Sequence, residues 1–220
     1  MALKKKDFIE IEFTGRVKDG EIFDSNIKED LKKSNLKVES KPFIFCLGVG
    51  MFLKGIDDFL IGKESGKDYE IELSPEKAFG KRDTRLIQIM PMKVFKQQKI
   101  TPIQGAIFNF DGRIAKIISV SGGRVVADFN NPIAGKIVVY NLKILRKLEN
   151  LNEKIKSFID FLFKKNLKFE IKDKKLILEV EKQMVKFVEM FSDKFKELFD
   201  LELKVKEIEE KRDKQQPKSK

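Results

Sequence analysis

Apolar and polar residues alternate from Phe8 to Val17, with Ile9, Ile11 and Phe13 set against Glu10 and Glu12. That is the two-residue period of a strand with one buried face. Asp19-Gly20 then predicts a hairpin turn. Phe43, Phe45 and Leu47 repeat the alternation before Gly48 and Gly50, and 51–61 reads as a short helix with Phe52, Ile56, Phe59 and Leu60 on or near one face. Tyr69, Ile71 and Leu73 predict another strand, after which Ser74 and Pro75 are placed to cap and open one helical turn that Gly80 ends.

After Arg82 the pattern changes to short β-branched runs separated by Asp111-Gly112 and Gly122-Gly123, ending at DFNNPIAGK (128–136). These predict a small β-rich insertion. The run Ile137 to Leu145 is strand-like but too short to stand alone, so it is expected to rejoin the first sheet and make that domain discontinuous. From Leu148 the spacing of Leu151, Ile155, Phe158, Ile159 and Leu162 predicts a helix, followed by two strands around 167–180. One longer helix is expected over 181–199, its stripe of Met184, Val188, Phe191, Phe195 and Phe199 serving as core, and Leu201, Leu203 and Val205 supply a last strand. An αββαβ unit of this size is marginal alone, so docking or homodimerisation is expected to add apolar burial. The tail 209–220 is polar enough to be disordered.

Composition narrows the chemistry. The 220 residues include 20 Phe but no Trp and no His, so a site here works through apolar surface rather than a titrating imidazole. A single Cys46 excludes an intramolecular disulfide and fits a reducing interior. Lys4, Lys5 and Lys6 are followed by Asp7, Glu10 and Glu12 instead of an apolar stretch, so neither export nor membrane insertion is expected and the location expected is cytoplasmic. The net charge of +11 is uneven: 84–133 holds seven Lys or Arg against Asp111 and Asp128, whereas the C-terminal segment is nearly balanced. Basicity alone is weak evidence for nucleic acid.

Triads, His-based metal sites and phosphate-binding glycine loops are missing, and Gly48-Val49-Gly50 has Leu53 where a third glycine would stand. Asp57 and Asp58 read as a solvated helix face. What remains is a set of apolar residues, Phe13, Phe23, Phe43, Phe45, Phe52, Leu53, Ile56, Phe79 and Tyr140, around one acid, Asp24. All of them are compatible with ordinary core; Phe45 and Leu47, on one strand face, need no other explanation. Phe23, Phe52 and Phe79, beside turns or a helix start, favour a pocket lining.

Read in order, IEFTG, DGEIFDSN, KPFIFCLGVGMFLKGID and SPEKAFG resemble the FKBP-type peptidyl-prolyl cis/trans isomerases. The SlyD-like and long archaeal members of that family carry an insert-in-flap chaperone domain at this point, and NNPIAGK resembles the exit from it. The last segment is similar to the C-terminal α/β domain of the long archaeal members. The resemblance implies an α+β architecture: an antiparallel half-barrel sheet around a short helix (1–83 and 134–147), a β-rich insert-in-flap subdomain (84–133) and a C-terminal αββαβ domain (148–208). It also implies a prolyl pocket lined by Phe13, Phe23, Asp24, Phe43, Phe52, Leu53, Ile56, Phe79 and Tyr140. Phe13 and Phe79 stand where Tyr is frequent, and Ile56 stands where many members have Trp, which implies a differently shaped floor and lowered activity.

The implied function is cis/trans isomerisation of X-Pro bonds in unfolded or nascent polypeptides, with the Leu53 amide as partner of a substrate carbonyl, Asp24 orienting the pocket or interacting with the rotating carbonyl, and no cofactor. The insert implies a folding chaperone. A binding chaperone with weak or no isomerase activity is the alternative, and ribosome or RNA contact through the basic insert is a third reading.

Overall fold

A computed structural model describes residues 2–34, 36 and 38–208; the tail 209–220, expected to be disordered, lies outside the described residues. The chain opens with β1 (Phe8–Val17) and β2 (Ile22–Ser25), a hairpin whose turn uses Asp19 at φ 57°. Next comes α1 (Lys28–Ser34), which the apolar pattern does not announce because only Leu31 is buried. Its Glu29 and Asp30 in the first turn and Lys32 and Lys33 in the last suit the helix dipole, and Thr14 Oγ1 donates to the Asp30 carboxylate and so ties it to β1.

β3 (Phe43–Cys46), α2 (Lys54–Leu60) and β4 (Asp68–Leu73) follow. β3 pairs with the first half of β1 and β2 with the second half, both antiparallel. α2 lies close to β4: a Cβ on Gly55 would stand 2.5 Å from Leu73 Cδ2 and 2.9 Å from the Lys77 carbonyl oxygen, so glycine permits this approach. Single helical turns at Pro75–Lys77 and Thr84–Leu86 lead on; Ser74 precedes the first, but its side chain makes no capping hydrogen bond.

The segment after Arg82 forms a separate antiparallel sheet from β5 (Ile87–Pro91), β6 (Ile107–Phe110), β7 (Arg113–Ser121) and β8 (Arg124–Asp128), in the order β5-β8-β7-β6. A short helix not evident from the strand-like pattern, α3 (Met92–Gln97), puts Phe95 into a core of its own with Ala115, Ile117, Val125 and Ala127. Where the chain enters and leaves this unit, Arg82 pairs with the buried Asp128. Beside them Asn130 brackets the Asp83 backbone, accepting from its amide at 2.8 Å and donating to its carbonyl at 2.9 Å.

β9 (Val138–Lys147) then slots between β1 and β4, giving the order β2-β1-β9-β4 with β3 also on β1. It leads to α4 (Leu151–Phe163), capped by Asn150, whose side chain accepts from the Glu153 amide at 3.0 Å. Ile155, Phe158, Ile159 and Phe163 are its buried stripe. β10 (Phe169–Lys172) and β11 (Lys175–Glu181) form a hairpin, and a last strand returns beside β11 in parallel after two helices, α5 (Val185–Glu189) and α6 (Ser192–Phe199); that strand is β12 (Glu202–Ile208).

The single helix expected over 181–199 is therefore broken. A turn at Lys182–Met184 comes first, and Phe191, at φ −96° and ψ 5°, separates α5 from α6. The Ser192 hydroxyl donates to the Glu189 carbonyl at 2.7 Å, satisfying a group that a continuous helix would pair with its own amide. The break lets Phe187 and Phe191 turn back on Phe163, with ring centroids 5.4–5.9 Å apart.

This C-terminal unit docks within its own chain. One apolar core runs from Ile9 and Ile11 through Leu148, Ile155 and Phe158 to Leu176 and Phe195. Phe8 meets Phe199 at 5.6 Å, and Lys6 pairs with Glu197 at 3.3 Å. Docking supplies the burial for which homodimerisation was one expected source. Among the described residues no helix is long and apolar enough to cross a membrane.

Because the core is continuous, Phe195→Ala is expected to lower stability by about 3–5 kcal/mol and to loosen both sheets in one transition. Hydrogen exchange tests this: β1 amides left fully protected while β11 amides open would contradict it.

Candidate active site

Four elements deliver aromatic rings to one place. The inward positions of β1 and β9 bring Phe13 and Tyr140, β3 brings Phe43, and the loop before α2 brings Phe52. Phe13 lies 5.1 Å from Phe52, 6.2 Å from Phe43 and 6.2 Å from Tyr140, measured between ring centroids. Phe52 meets Phe43 at 5.4 Å and Tyr140 at 5.7 Å, both edge to face. Phe23 from β2 joins through Tyr140 at 5.8 Å and carries Phe79 with it at 5.4 Å. Edge-to-face packing of this kind adds about 0.5–1.5 kcal/mol per pair beyond burial.

The residues divide by depth. Phe13 and Tyr140 are 7% and 1% exposed, whereas Phe23, Asp24, Phe43, Phe52 and Phe79 are half-buried. Ile56 is wholly buried in the apolar core and does not line the cavity. Leu53 is the residue before α2; among the described residues its amide has no hydrogen-bond partner, while its carbonyl accepts from Ile56 and Asp57. Phe45, for which its strand face already suggests ordinary core, is fully buried and stacks on Phe43 at 5.2 Å. Phe13, Asp24, Phe43 and Phe52 border a cavity of about 930 Å³ that continues toward α4.

Asp24 is the acid at the end of this cavity that Phe13 and Phe52 also line; Glu39 and Asp160 line it as well. Burial pushes its carboxyl above the ordinary range, opposed by a hydrogen bond from the Ser25 backbone. Burial, with the Asp24 charge as a second cause, also raises the Tyr140 phenol. Tyr140 carries the only phenolic hydroxyl in the aromatic set. The lone thiol is no competitor for the chemistry: Cys46 is buried and pushed up to about 12 by desolvation and the charge of Asp57.

Three features escape the sequence reading. Asp57, expected on a solvated face, is 3% exposed. One of its oxygens accepts from the Gly50 amide at 3.4 Å and the other has no partner among the described residues, so burial raises its pKa. It braces the Gly48–Gly50 loop that delivers Phe52, and the legible hint is an acid in a helix's first turn after glycine-rich chain. Gly15 is the second: a Cβ there would stand 2.7 Å from Tyr140 Cε1 and 3.1 Å from Phe23 Cζ. A glycine inside a strand pattern is its signal. The third is Asn26, which accepts from the Phe13 amide at 2.7 Å and donates to the Ile11 and Lys41 carbonyls, stitching β1 to the chain before β3.

The sequence is similar to known proteins. Residues 1–102 match the family model described as FKBP-type peptidyl-prolyl cis-trans isomerase, and residues 88–133 match one described as FKBP26, IF domain. The chain is 33% identical to the short-type peptidyl-prolyl cis-trans isomerase of Methanocaldococcus jannaschii over 145 residues, 64% of this chain and 92% of that protein. The chain belongs to the FKBP-type peptidyl-prolyl cis-trans isomerase family. The FKBP-type 16 kDa isomerase of Escherichia coli K12 is 32% identical over 48% of this chain and 73% of its own length. The SlyD isomerase of Aeromonas hydrophila is 24% identical over 62% of this chain and 60% of its own. Within this isomerase family the ring cluster and Asp24 are the candidate active site.

Gly15→Ala is expected to push Tyr140 and Phe23 apart and lower kcat/KM for a prolyl peptide more than it lowers Tm. Unchanged kcat/KM would show that the approach of these rings to β1 is dispensable.

Proposed function

We propose that this FKBP-type isomerase twists X-Pro amides of unfolded or nascent polypeptides in the pocket made by Phe13, Phe23, Asp24, Phe43, Phe52, Leu53, Ile56, Phe79 and Tyr140. The observation that carries the reading is the convergence of six aromatic rings beside one desolvated carboxyl. Rotation about X-Pro faces a barrier of about 18–20 kcal/mol because amide resonance must be broken, and it needs neither nucleophile nor proton transfer. A water-poor aromatic floor lowers that barrier by favouring the twisted, less polar amide over both planar isomers. The Leu53 amide holds a substrate carbonyl, and Asp24 interacts with the carbonyl that rotates.

The proposed division of labour follows the chain: 1–83 with 134–147 as the isomerase domain, 84–133 as a client-binding insert, and 148–208 as a docked C-terminal α/β domain. Supporting the insert's role, its sheet has two unlike faces. Phe108, Ala115 and Ile117 face Phe95 and the insert's core, while Ile89, Ile107 and Ile114 stand on the other face at 67%, 63% and 62% exposure. Exposed isoleucines spread over this face, with Lys116 opposite Ile107, suit low-specificity contact with extended apolar chain. Uncatalysed prolyl isomerisation takes about 10–100 s, so holding a client near the pocket raises the effective concentration of its prolyl bonds.

A second reading, a binding chaperone with weak catalysis, draws on Phe79 and Ile56. Phe79 offers no hydroxyl, and a net hydrogen bond is worth about 0.5–1.5 kcal/mol, up to roughly tenfold in rate. Phe79→Tyr is accordingly expected to raise kcat/KM in a protease-coupled assay by up to that factor. No acceleration by the wild type, with Phe23→Ala and Asp24→Ala indistinguishable from it, would leave the binding reading alone. Deleting 84–133 separates the two activities: suppression of aggregation is expected to fall, and undiminished suppression would move the client site elsewhere.

Asp24 predicts a pH signature. Its folded pKa is raised, so the stability it contributes is fully present below the unfolded value of about 3.9 and is lost as pH rises through the folded value. Asp24→Asn should therefore be no less stable than wild type at neutral pH. If the carboxylate is the active form, wild-type kcat/KM falls with decreasing pH as that group protonates, and Asp24→Asn lacks that limb. A limb retained in the variant would assign it to another group.

A further inference from the structure

Lining the cavity beside Asp24, opposite β3, is a helix that lies outside both matched family regions. α4 spends one stripe on the core and has a second face: Ser157, Asp160 and Phe161, at the i, i+3, i+4 spacing of adjacent helix positions, line the cavity, and Lys164, the left-handed residue that ends the helix, lines it beside them. Phe161 is half-buried there with Lys164 Nζ 4.8 Å from its ring, over the face. Across from it lie Phe43 and Ile44, continuous with Phe13 and Phe52 of the ring cluster. A cavity of about 930 Å³ is at the upper end of the range for whole small-molecule ligands, about 300–1,000 Å³, and is larger than a lone pyrrolidine ring needs.

We infer that α4 builds a second subsite of the isomerase, which takes a bulky apolar side chain of an extended polypeptide next to the proline, with Phe161 as its specificity-determining residue. This rests on the prolyl reading of the ring cluster. Continuity identifies the occupant: a chain whose proline sits by Phe13 and Phe52 has its neighbouring residues in this groove. Charge favours an apolar residue over a charged one. The lining holds three acids, Asp24, Glu39 and Asp160, and three lysines, Lys41, Lys164 and Lys165, with Lys41 paired with Glu39 at 2.6 Å, so the walls carry no net formal charge to attract an ion. Phe161 and Phe43 offer aromatic surface to an aliphatic or aromatic side chain. The C-terminal unit thereby has a task besides docking.

The test uses the full chain and two sets of prolyl peptides: a tetrapeptide, and twelve-residue peptides with Leu or Gly at each flanking position. Wild type is expected to show a lower KM for Leu-flanked than for Gly-flanked long peptides. Phe161→Ala should raise the KM of the Leu-flanked peptide about three- to tenfold with kcat nearly unchanged. Turnover of the tetrapeptide should be retained, which also certifies the fold, and Phe161→Leu should keep most of the preference. As a readout independent of that variant, the Leu-flanked peptide should shift the amide resonances of Phe161 and Lys164 in the wild type. Equal losses on short and long peptides, no loss on either, or no Leu preference in the wild type overturns the subsite while leaving the prolyl pocket intact. A wild type inactive on every peptide overturns the prolyl reading and the subsite with it.

Discussion

The pairing of β9 with β1 is the constraint on which the rest depends. The chain leaves the first sheet at Leu73, builds a second sheet with its own core, and returns to lie between β1 and β4. Register does the functional work. Gly15 stands opposite Tyr140 and Phe13 opposite Leu142, so the absence of a side chain on one strand makes room for a ring on the other. A one-residue slip would send Tyr140 to the outer face and remove the ring that connects Phe23 and Phe79 to Phe13 and Phe52. The same strand delivers the chain to α4, so the second wall of the groove also depends on it.

Around this pairing two polar side chains hold the chain that carries the rings. Asn26 satisfies backbone groups on β1 and before β3, and Asp57 braces the loop that carries Phe52. Asp24 is the acid left at the edge, half-buried and with its charged form disfavoured. That electrostatic position suits the proposed chemistry: a partly desolvated group held near a rotating carbonyl.

Much of this was legible in the chain because strands with one buried face leave a period of two. Phe8–Val17, Phe43–Leu47 and Tyr69–Leu73 announce the first sheet, and the return after Ile137 follows from a strand too short to stand alone. The aromatic residues beside turns pointed to the site through their likeness to a family. What was not legible has physical causes. α1 buries one residue, so it has no apolar stripe; α3, six residues with only Phe95 buried, is equally short of one; Phe191 breaks a helix whose stripe reads as continuous. Asp57 was placed on a solvated face because an acid on a short helix usually is, and only the loop folded over it reveals its burial. The second face of α4 is invisible to any pattern argument, since Phe161 gains meaning from β3 across the groove.

The central claim is that the ring cluster is where a proline is held. Isotope-edited NMR on the full chain with a saturating X-Pro peptide tests it most directly, through NOEs between the pyrrolidine protons and the aromatic rings. The account predicts contacts to Phe23, Phe52 and Tyr140, with catalysed exchange between the cis and trans resonances of the peptide. Catalysed exchange with pyrrolidine contacts confined to the insert's isoleucines would contradict it.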